Sequence, residues 1–459
     1  METTHNKKAE LVELDKKHFL HPTSSIQAQQ QNGAGLVFTE GEGIYLKDMD
    51  GETYIDGMSS LWNVNIGHGR KELSNAASEQ MSKLAFSSTF SGFSNEPAIR
   101  LSKKLADLAP ESLNVSFFTS GGSEANDSAI KLIRHYWKVK GYPERKKVIT
   151  RKRGYHGVSM GSTSATGIPE FHAMTTSLAP DFLYAPAPYI AKGPFTNEDL
   201  MASAQEVRNM IEAEGPNTIA AFMAEPIQGA GGIIVPPKEY FQEIRKICDE
   251  YGVIFIADEV ITGFGRTGKM FGLENWNVVP DVMTLAKGIS SGYVPLGAVM
   301  INDHIHEELV KYSEGTLFHG FTYSGHPVGC AVGLKNIELI EQEKLVENAD
   351  EMGKELTKGL KSLEEKHWSV GRVRNVGLLG AFELLADPEK NMRFDASQGI
   401  AGKVVQECLK RKLIVRPVTY EGTDIIAIAP PLTITKEEVE KIITIFDEAV
   451  SAVEATLNQ

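Results

Sequence analysis

In the middle of the chain, short apolar runs alternate with helical patterns, and this alternation constrains the fold most. Val115–Phe118 is one run, ending in TSGGSEAND, and a helix pattern follows from Glu124 to Arg134. Thr218–Ala224 is a second, ending in EPIQGAGG. Pro236 and Pro237 then open a helix with Phe241, Ile244, Ile247 and Cys248 on one face, and Gly252 is placed to close it. Val253–Ala257 and Asp281–Leu285 read as further strands. Near-continuous apolar strands separated by helices imply an α/β fold, a mostly parallel sheet covered by helices on both faces. Sites in such sheets lie beyond the carboxyl ends of the strands. The polar residues that follow each run are therefore the candidates for chemistry.

The last third reads differently. Thr435 and Glu438 stand at capping-box spacing, and Val439, Ile442, Ile443, Phe446 and Val450 share one helix face. The expected organisation is a large domain over residues 61–330 and a smaller α+β domain over 331–459. Residues 1–60 carry a strand-like pair with turns at EGEG and MDGE, expected to pack with the small domain.

The formal net charge is −13, which argues against a nucleic-acid partner. There is no apolar stretch long enough for a signal peptide or a membrane span. The three cysteines, Cys248, Cys330 and Cys408, cannot all pair and lack zinc-site spacing. A cytoplasmic protein without a metal is the expectation.

Two short matches mislead. Gly263-Phe-Gly265-Arg-Thr-Gly268 fits the dinucleotide pattern, but five residues separate it from the strand end and no helical period follows. It gives little support to a nicotinamide-dependent oxidoreductase. Gly157-Val-Ser159-Met-Gly161 fits a nucleophile elbow, but the following STSATGIPE reads as a loop.

Three features at strand ends say more together. In SGGSEAND, Gly121, Gly122 and Ser123 open a helix whose free N–H groups could hold a phosphate. Asp258 leaves the end of a buried strand, where a carboxylate needs a cationic partner. Lys287 follows another apolar strand directly, and desolvation there would favour a neutral, nucleophilic amine. A phosphate cup, a strand-end acid and a strand-end lysine are what pyridoxal 5'-phosphate requires.

The chain resembles class III, fold-type-I aminotransferases over nearly its whole length. IADEVITGFGRTGKMF and DVMTLAKGISSGYVPLGAV are the most specific stretches. FTSGGSEAND, YHG at 155–157, EPIQG at 225–229 and FHGFTYSGHP at 318–327 match in order and approximate spacing. The resemblance implies that Lys287 is the Schiff-base lysine and proton carrier, and that Asp258 partners the pyridinium nitrogen. It places Val260 and Tyr155 on the two ring faces and Gly122 and Ser123 in the phosphate cup. Many relatives carry a hydroxyl residue where this chain has Gly121. Glu225 resembles a cofactor-proximal glutamate. Thr322 resembles the threonine that reaches the phosphate of the neighbouring subunit. A homodimer with shared active sites follows, open to further pairing into a tetramer.

Within the family, ornithine-, acetylornithine- and 4-aminobutyrate-type relatives commonly place a carboxylate-binding arginine just before the APP segment. This chain has Ala427 there and an arginine at Leu413-Ile-Val-Arg416-Pro417 instead. Arg416 resembles the arginine of ω-amino-acid:pyruvate transaminases and of diaminopelargonate synthases. Trp62 resembles the aromatic pocket wall of ω-transaminases, whereas diaminopelargonate synthases typically carry two adjacent tryptophans. The expected activity is ping-pong transfer of an amino group from an amine or ω-amino acid, such as taurine or β-alanine, to pyruvate. A diaminopelargonate-forming aminotransferase is the alternative.

Overall fold

The computed structural model describes residues 2–110 and 112–457. The chain opens with two helices, Glu2–His18 and Ile26–Asn32. Three short antiparallel strands follow: β1 (Phe38–Glu42), β2 (Tyr45–Asp48) and β3 (Thr53–Asp56).

The largest sheet comes next in sequence. Its strands are β4 (Leu113–Thr119), β5 (Lys147–Arg151), β6 (Phe182–Ala185), β7 (Ile219–Ala224), β8 (Ile254–Asp258), β9 (Val282–Leu285) and β10 (Gly297–Asn302), in the spatial order β4-β10-β9-β8-β7-β5-β6. All pairs from β9 to β6 are parallel, and β10 alone runs against the rest. The period-2 alternation of strand side chains, with helices on both faces, explains why a central strand such as β7 is apolar throughout. In β7, Ala221 and Met223 pack towards the helix Gly122–Val139, with its buried Ala125, Ala129 and Ile133. Phe222 and Ala224 belong with the opposite layer, around Phe241, Ile244 and Ile247 of the helix Tyr240–Tyr251. Gly252 adopts φ +61° and closes that helix, a conformation glycine takes without the Cβ penalty.

The remaining strands are β11 (Val370–Val376), β12 (Leu379–Leu384), β13 (Leu413–Ile414), β14 (Arg416–Val418) and β15 (Ile425–Ile428). Four of them form an antiparallel sheet, β11-β12-β15-β14. The helices Leu345–Lys366, Ile400–Lys410 and Lys436–Leu457 pack around it. β13 joins β3 in parallel, which ties the N-terminal strands to this part of the chain. The capping box forms as its spacing implies: Glu438 N–H donates to Thr435 Oγ1 at 3.3 Å and Thr435 N–H to Glu438 Oε2 at 2.9 Å.

The two misleading motifs resolve on packing. The 263–268 loop does not open a helix. A Cβ on Gly265 would lie 2.9 Å from Leu432 Cδ1, and one on Gly268 would lie 3.0 Å from the Asp350 Cβ. These glycines let the loop dock on the C-terminal part of the chain. Residues Met160–Ala165 are helical rather than a loop. Hydroxyls that favour loops in isolation bond back here, Ser164 Oγ to the Met160 carbonyl at 2.6 Å and Thr166 Oγ1 to that of Ser162 at 3.0 Å. Ser159 follows a loop, not a strand, so it sits on no nucleophile elbow. Among the described residues, no helix is long and apolar enough to cross a membrane, and no cluster of metal-ligating side chains occurs.

Candidate active site

Because β4, β5, β7, β8 and β9 all run the same way, their carboxyl ends meet at one edge of the sheet. A cavity of about 380 Å³ opens there. Gly121, Gly122 and Ser123 reach it after β4, and Tyr155 after β5. Glu225 follows β7, Asp258 ends β8 with Val260 two residues on, and Lys287 comes after β9. Eight of the expected site residues therefore line a single cavity. Trp62, Thr322 and Arg416 do not.

At the end of β4 the first helical bond runs from the Ala125 N–H to the Gly121 carbonyl. The N–H groups of Gly122, Ser123 and Glu124 therefore point out of the helix end towards the cavity, where the helix dipole favours an anion. A Cβ on Gly121 would meet nothing within 4 Å. The missing hydroxyl at this position thus leaves open space. Gly122 is required by packing, since a Cβ there would lie 2.9 Å from Val260 Cγ1.

Asp258 is buried and held from two sides. Its Oδ2 accepts from Asn126 Nδ2 at 2.8 Å and pairs with His156 Nδ1 at 2.8 Å, while Oδ1 accepts the Val260 N–H at 3.1 Å. The Asn126 amide also donates to the His156 carbonyl at 2.6 Å. Asn126 and His156 both line the cavity, in addition to the residues expected from the sequence. His156 lies inside the YHG segment at 155–157. Asn126 lies one helical turn after Gly122, on the face turned to the sheet, and that periodicity was the available signal.

Glu225 is buried, and its carboxylate accepts the N–H groups of Tyr155 and Gly229, each at 2.9 Å. Burial outweighs those bonds and pushes its carboxyl up to about 7. Burial lowers the Lys287 amine from its ordinary value, with Asp258 and Glu225 opposing and the Arg416 charge reinforcing the shift. Burial raises the Tyr155 phenol, and Arg416 partly offsets this. The Tyr155 ring is braced edge-on by Phe171 at 5.1 Å between centroids.

Arg416 stands on β14 near enough to act on both Lys287 and Tyr155. Its half-buried guanidinium makes no side-chain hydrogen bond or ion pair among the described residues. Trp62 is buried in the apolar cluster that also contains Ile261, a cavity-lining residue. Its neighbour Asn63 lines the cavity. Thr322 is exposed on this chain.

These residues fit pyridoxal phosphate. A ring and its phosphate need a helix end free to bind an anion, a buried carboxylate for the ring nitrogen and an amine poised to be neutral.

The chain matches the family described as aminotransferase class-III over residues 26–450. It is 39% identical to the diaminobutyrate–2-oxoglutarate transaminase of Halomonas elongata, covering 100% of this chain and 98% of that one. It is 40% identical to the putrescine–pyruvate aminotransferase of Pseudomonas aeruginosa, covering 96% of each. The crystal structure of a transaminase from the marine bacterium Virgibacillus superposes with a TM-score of 0.95 at 56% identity, covering 98% of this chain and 100% of that one. The chain belongs to the class III aminotransferases, transaminases of fold type I that depend on pyridoxal phosphate.

Proposed function

We propose that this enzyme is an ω-transaminase that moves an amino group from an amine or ω-amino acid of the taurine or β-alanine kind to pyruvate. The unpaired guanidinium of Arg416 beside Lys287 carries this reading. A half-buried cation without a partner is a ready fork for a small carboxylate, and its long stem lets it swing aside for a donor that has none.

Pyridoxal phosphate supplies the aldehyde that takes up the amino group and the ring that draws electrons from the donor carbon. The chain does the rest. Gly121, Gly122 and Ser123 hold the phosphate at the helix end. Val260 and Tyr155 would flank the ring. Asp258 would hold the proton on the ring nitrogen, and His156 and Asn126 hold Asp258 in place. Lys287 would anchor the cofactor, and its amine, depressed by burial, would take up and return the proton of the donor carbon. Glu225 ties the backbone under Tyr155 to the turn at Gly229.

Thr322 adjoins the exposed Tyr323, whose ring meets the exposed Phe86 edge-on at 6.0 Å. Exposed aromatic surface of this kind suits a protein partner. A second copy of the chain seated there would bring Thr322 to the other copy's phosphate. The working unit is then a homodimer with shared sites.

The Halomonas relative favours a second reading, in which 2-oxoglutarate is the acceptor. One screen separates the two. Purified holoenzyme is given putrescine, taurine, β-alanine or 1-phenylethylamine with either pyruvate or 2-oxoglutarate, and alanine or glutamate is measured. Alanine formation with an ω-amine supports the first reading, and glutamate formation alone overturns it.

A further inference from the structure

Two strained turns pack against each other beside the cavity. In the first, Ser59, Ser60 and Trp62 take φ values of +46°, +57° and +63°. In the second, Lys287 and Ser291 take +47° and +49°. Left-handed backbone at non-glycine residues persists only where the surroundings enforce it. The first turn delivers Asn63 to the cavity, and the second delivers Lys287.

Asp56 holds part of the first turn. It is fully buried, and its carboxylate accepts the Met58 N–H at 3.2 Å and the Ser60 N–H at 2.7 Å, with His68 Nε2 on Oδ2 at 2.8 Å. The remainder hangs on Arg266, from the family-specific GFGRTG segment, which the cofactor assignment leaves without a role. Arg266 is fully buried. Its Nη2 donates to Ser59 Oγ and to Asn65 Oδ1, each at 2.9 Å. Its Nη1 donates to the carbonyls of Leu378, at 3.2 Å, and Pro430. No carboxylate lies within ion-pair distance of it among the described residues. A guanidinium buried on neutral acceptors alone is costly, and losing even one acceptor would add to that cost.

Asparagine–glycine contacts link the two turns. A Cβ on Gly288, next to Lys287, would lie 2.6 Å from Asn65 Nδ2, and one on Gly292 would lie 2.5 Å from Asn63 Nδ2. The Asn65 amide is fixed at both ends, by Arg266 on its oxygen and by its own bond to the Phe264 carbonyl at 2.9 Å. Any shift of Arg266 is thereby passed to Gly288 and the lysine beside it.

We propose that Arg266 is a positioning residue: through Ser59 and Asn65 it sets the 58–63 turn against the 287–292 turn, and so places Asn63 and Lys287 relative to the cofactor. This rests on the assignment of Lys287 made above. The mild variants Ser59→Ala and Asn65→Ala each cut one link, with Arg266→Lys as the severe one. Misplacing a reacting group by a fraction of an ångström lowers kcat by roughly ten- to a hundredfold. We expect that loss in Asn65→Ala with KM for pyruvate changed far less, since Arg416 is carried by β14 and belongs to neither turn. We also expect a shifted pH midpoint for the visible band of the bound cofactor. Melting temperature is measured alongside. Unchanged kcat and midpoint in both mild variants would overturn the proposal, as would losses that only follow the folded fraction. Lys287→Ala is the control: a visible band that survives it would overturn the lysine assignment instead.

Discussion

Arg416 and Ala427 are direct partners across the antiparallel β14–β15 ladder. Residues so placed share one face of the sheet, with Cβ atoms about 4.5–5.5 Å apart. The two positions that the family resemblance offers for a carboxylate-binding arginine are thus neighbours on one face of the sheet. Ala427 is fully buried in the cluster that contains Trp62. An arginine stem at 427 would have to displace that packing.

Replacing Arg416 by alanine should lower kcat/KM for pyruvate by roughly a hundredfold, the worth of a charge-assisted pair at about 3 kcal/mol. A neutral aldehyde acceptor should lose no more than about threefold, because it offers no carboxylate to the fork. Steady-state kinetics with both acceptors make the comparison, and equal losses would remove Arg416 from the acceptor site.

Asp258 and His156 should differ in kind. Asp258→Asn removes the charge and turns an amide towards two donors, Asn126 Nδ2 and His156 Nδ1. The expected loss of kcat is roughly 10²–10³-fold, as for other preorganised electrostatic groups. His156→Gln leaves the carboxylate and should cost only about tenfold, the effect of looser orientation. Single-turnover rates with donor amine alone give the ranking. A larger loss in His156→Gln would mean that His156 acts on the cofactor directly.

Glu259 gives the protein a stability trend with pH. Burial pushes its carboxyl up to about 7, although Thr262 Oγ1, Gly272 N–H and Leu273 N–H all donate to it. The folded state therefore holds a proton that the unfolded chain releases near its ordinary value of 4.5. The stabilisation is full below that value and is lost as pH rises to about 7. Glu225 adds to the trend in the same window. The melting temperature should fall between pH 5 and pH 7.5. Glu259→Gln should start lower, since its NH₂ accepts no hydrogen bond and would face one or two of the three donors, but its slope should be shallower. An unchanged slope would assign the trend to other groups.

Much of this was legible in the sequence because the sheet is buried on both faces. Uniform burial writes continuous apolar runs, and the residue after each run lands at the site. That logic found Gly122, Asp258 and Lys287, which line one cavity. Helical spacing from Gly122 puts Asn126 on the sheet-facing side, but the bonds of Asn126 and His156 to Asp258 span 132 and 102 positions, and no local pattern names Asp258 as their partner. Arg266 escaped for a related reason. Its acceptors come from Ser59, Asn65, Leu378 and Pro430, and only the fold brings them together. The segment STSATGIPE at 162–170 reads as a loop, yet its residues 162–165 are helical, because serine and threonine disfavour helices unless, as here, their hydroxyls are occupied.

The exposure of Thr322 leads to a test that needs no structure of the dimer. If Thr322 serves the partner's phosphate while Lys287 serves its own cavity, one damaged copy of each kind should rebuild one intact site per mixed dimer. Lys287→Ala homodimers should be inactive. Thr322→Ala homodimers should bind cofactor weakly, by roughly tenfold for one lost hydrogen bond to a charged group. Unfolding and refolding the two together at equal concentration and at low cofactor should yield activity above the sum of the separate proteins. A random mixture forms about half mixed dimers, each with one complete site. Activity equal to that sum would place Thr322 on its own chain's cofactor, or on none.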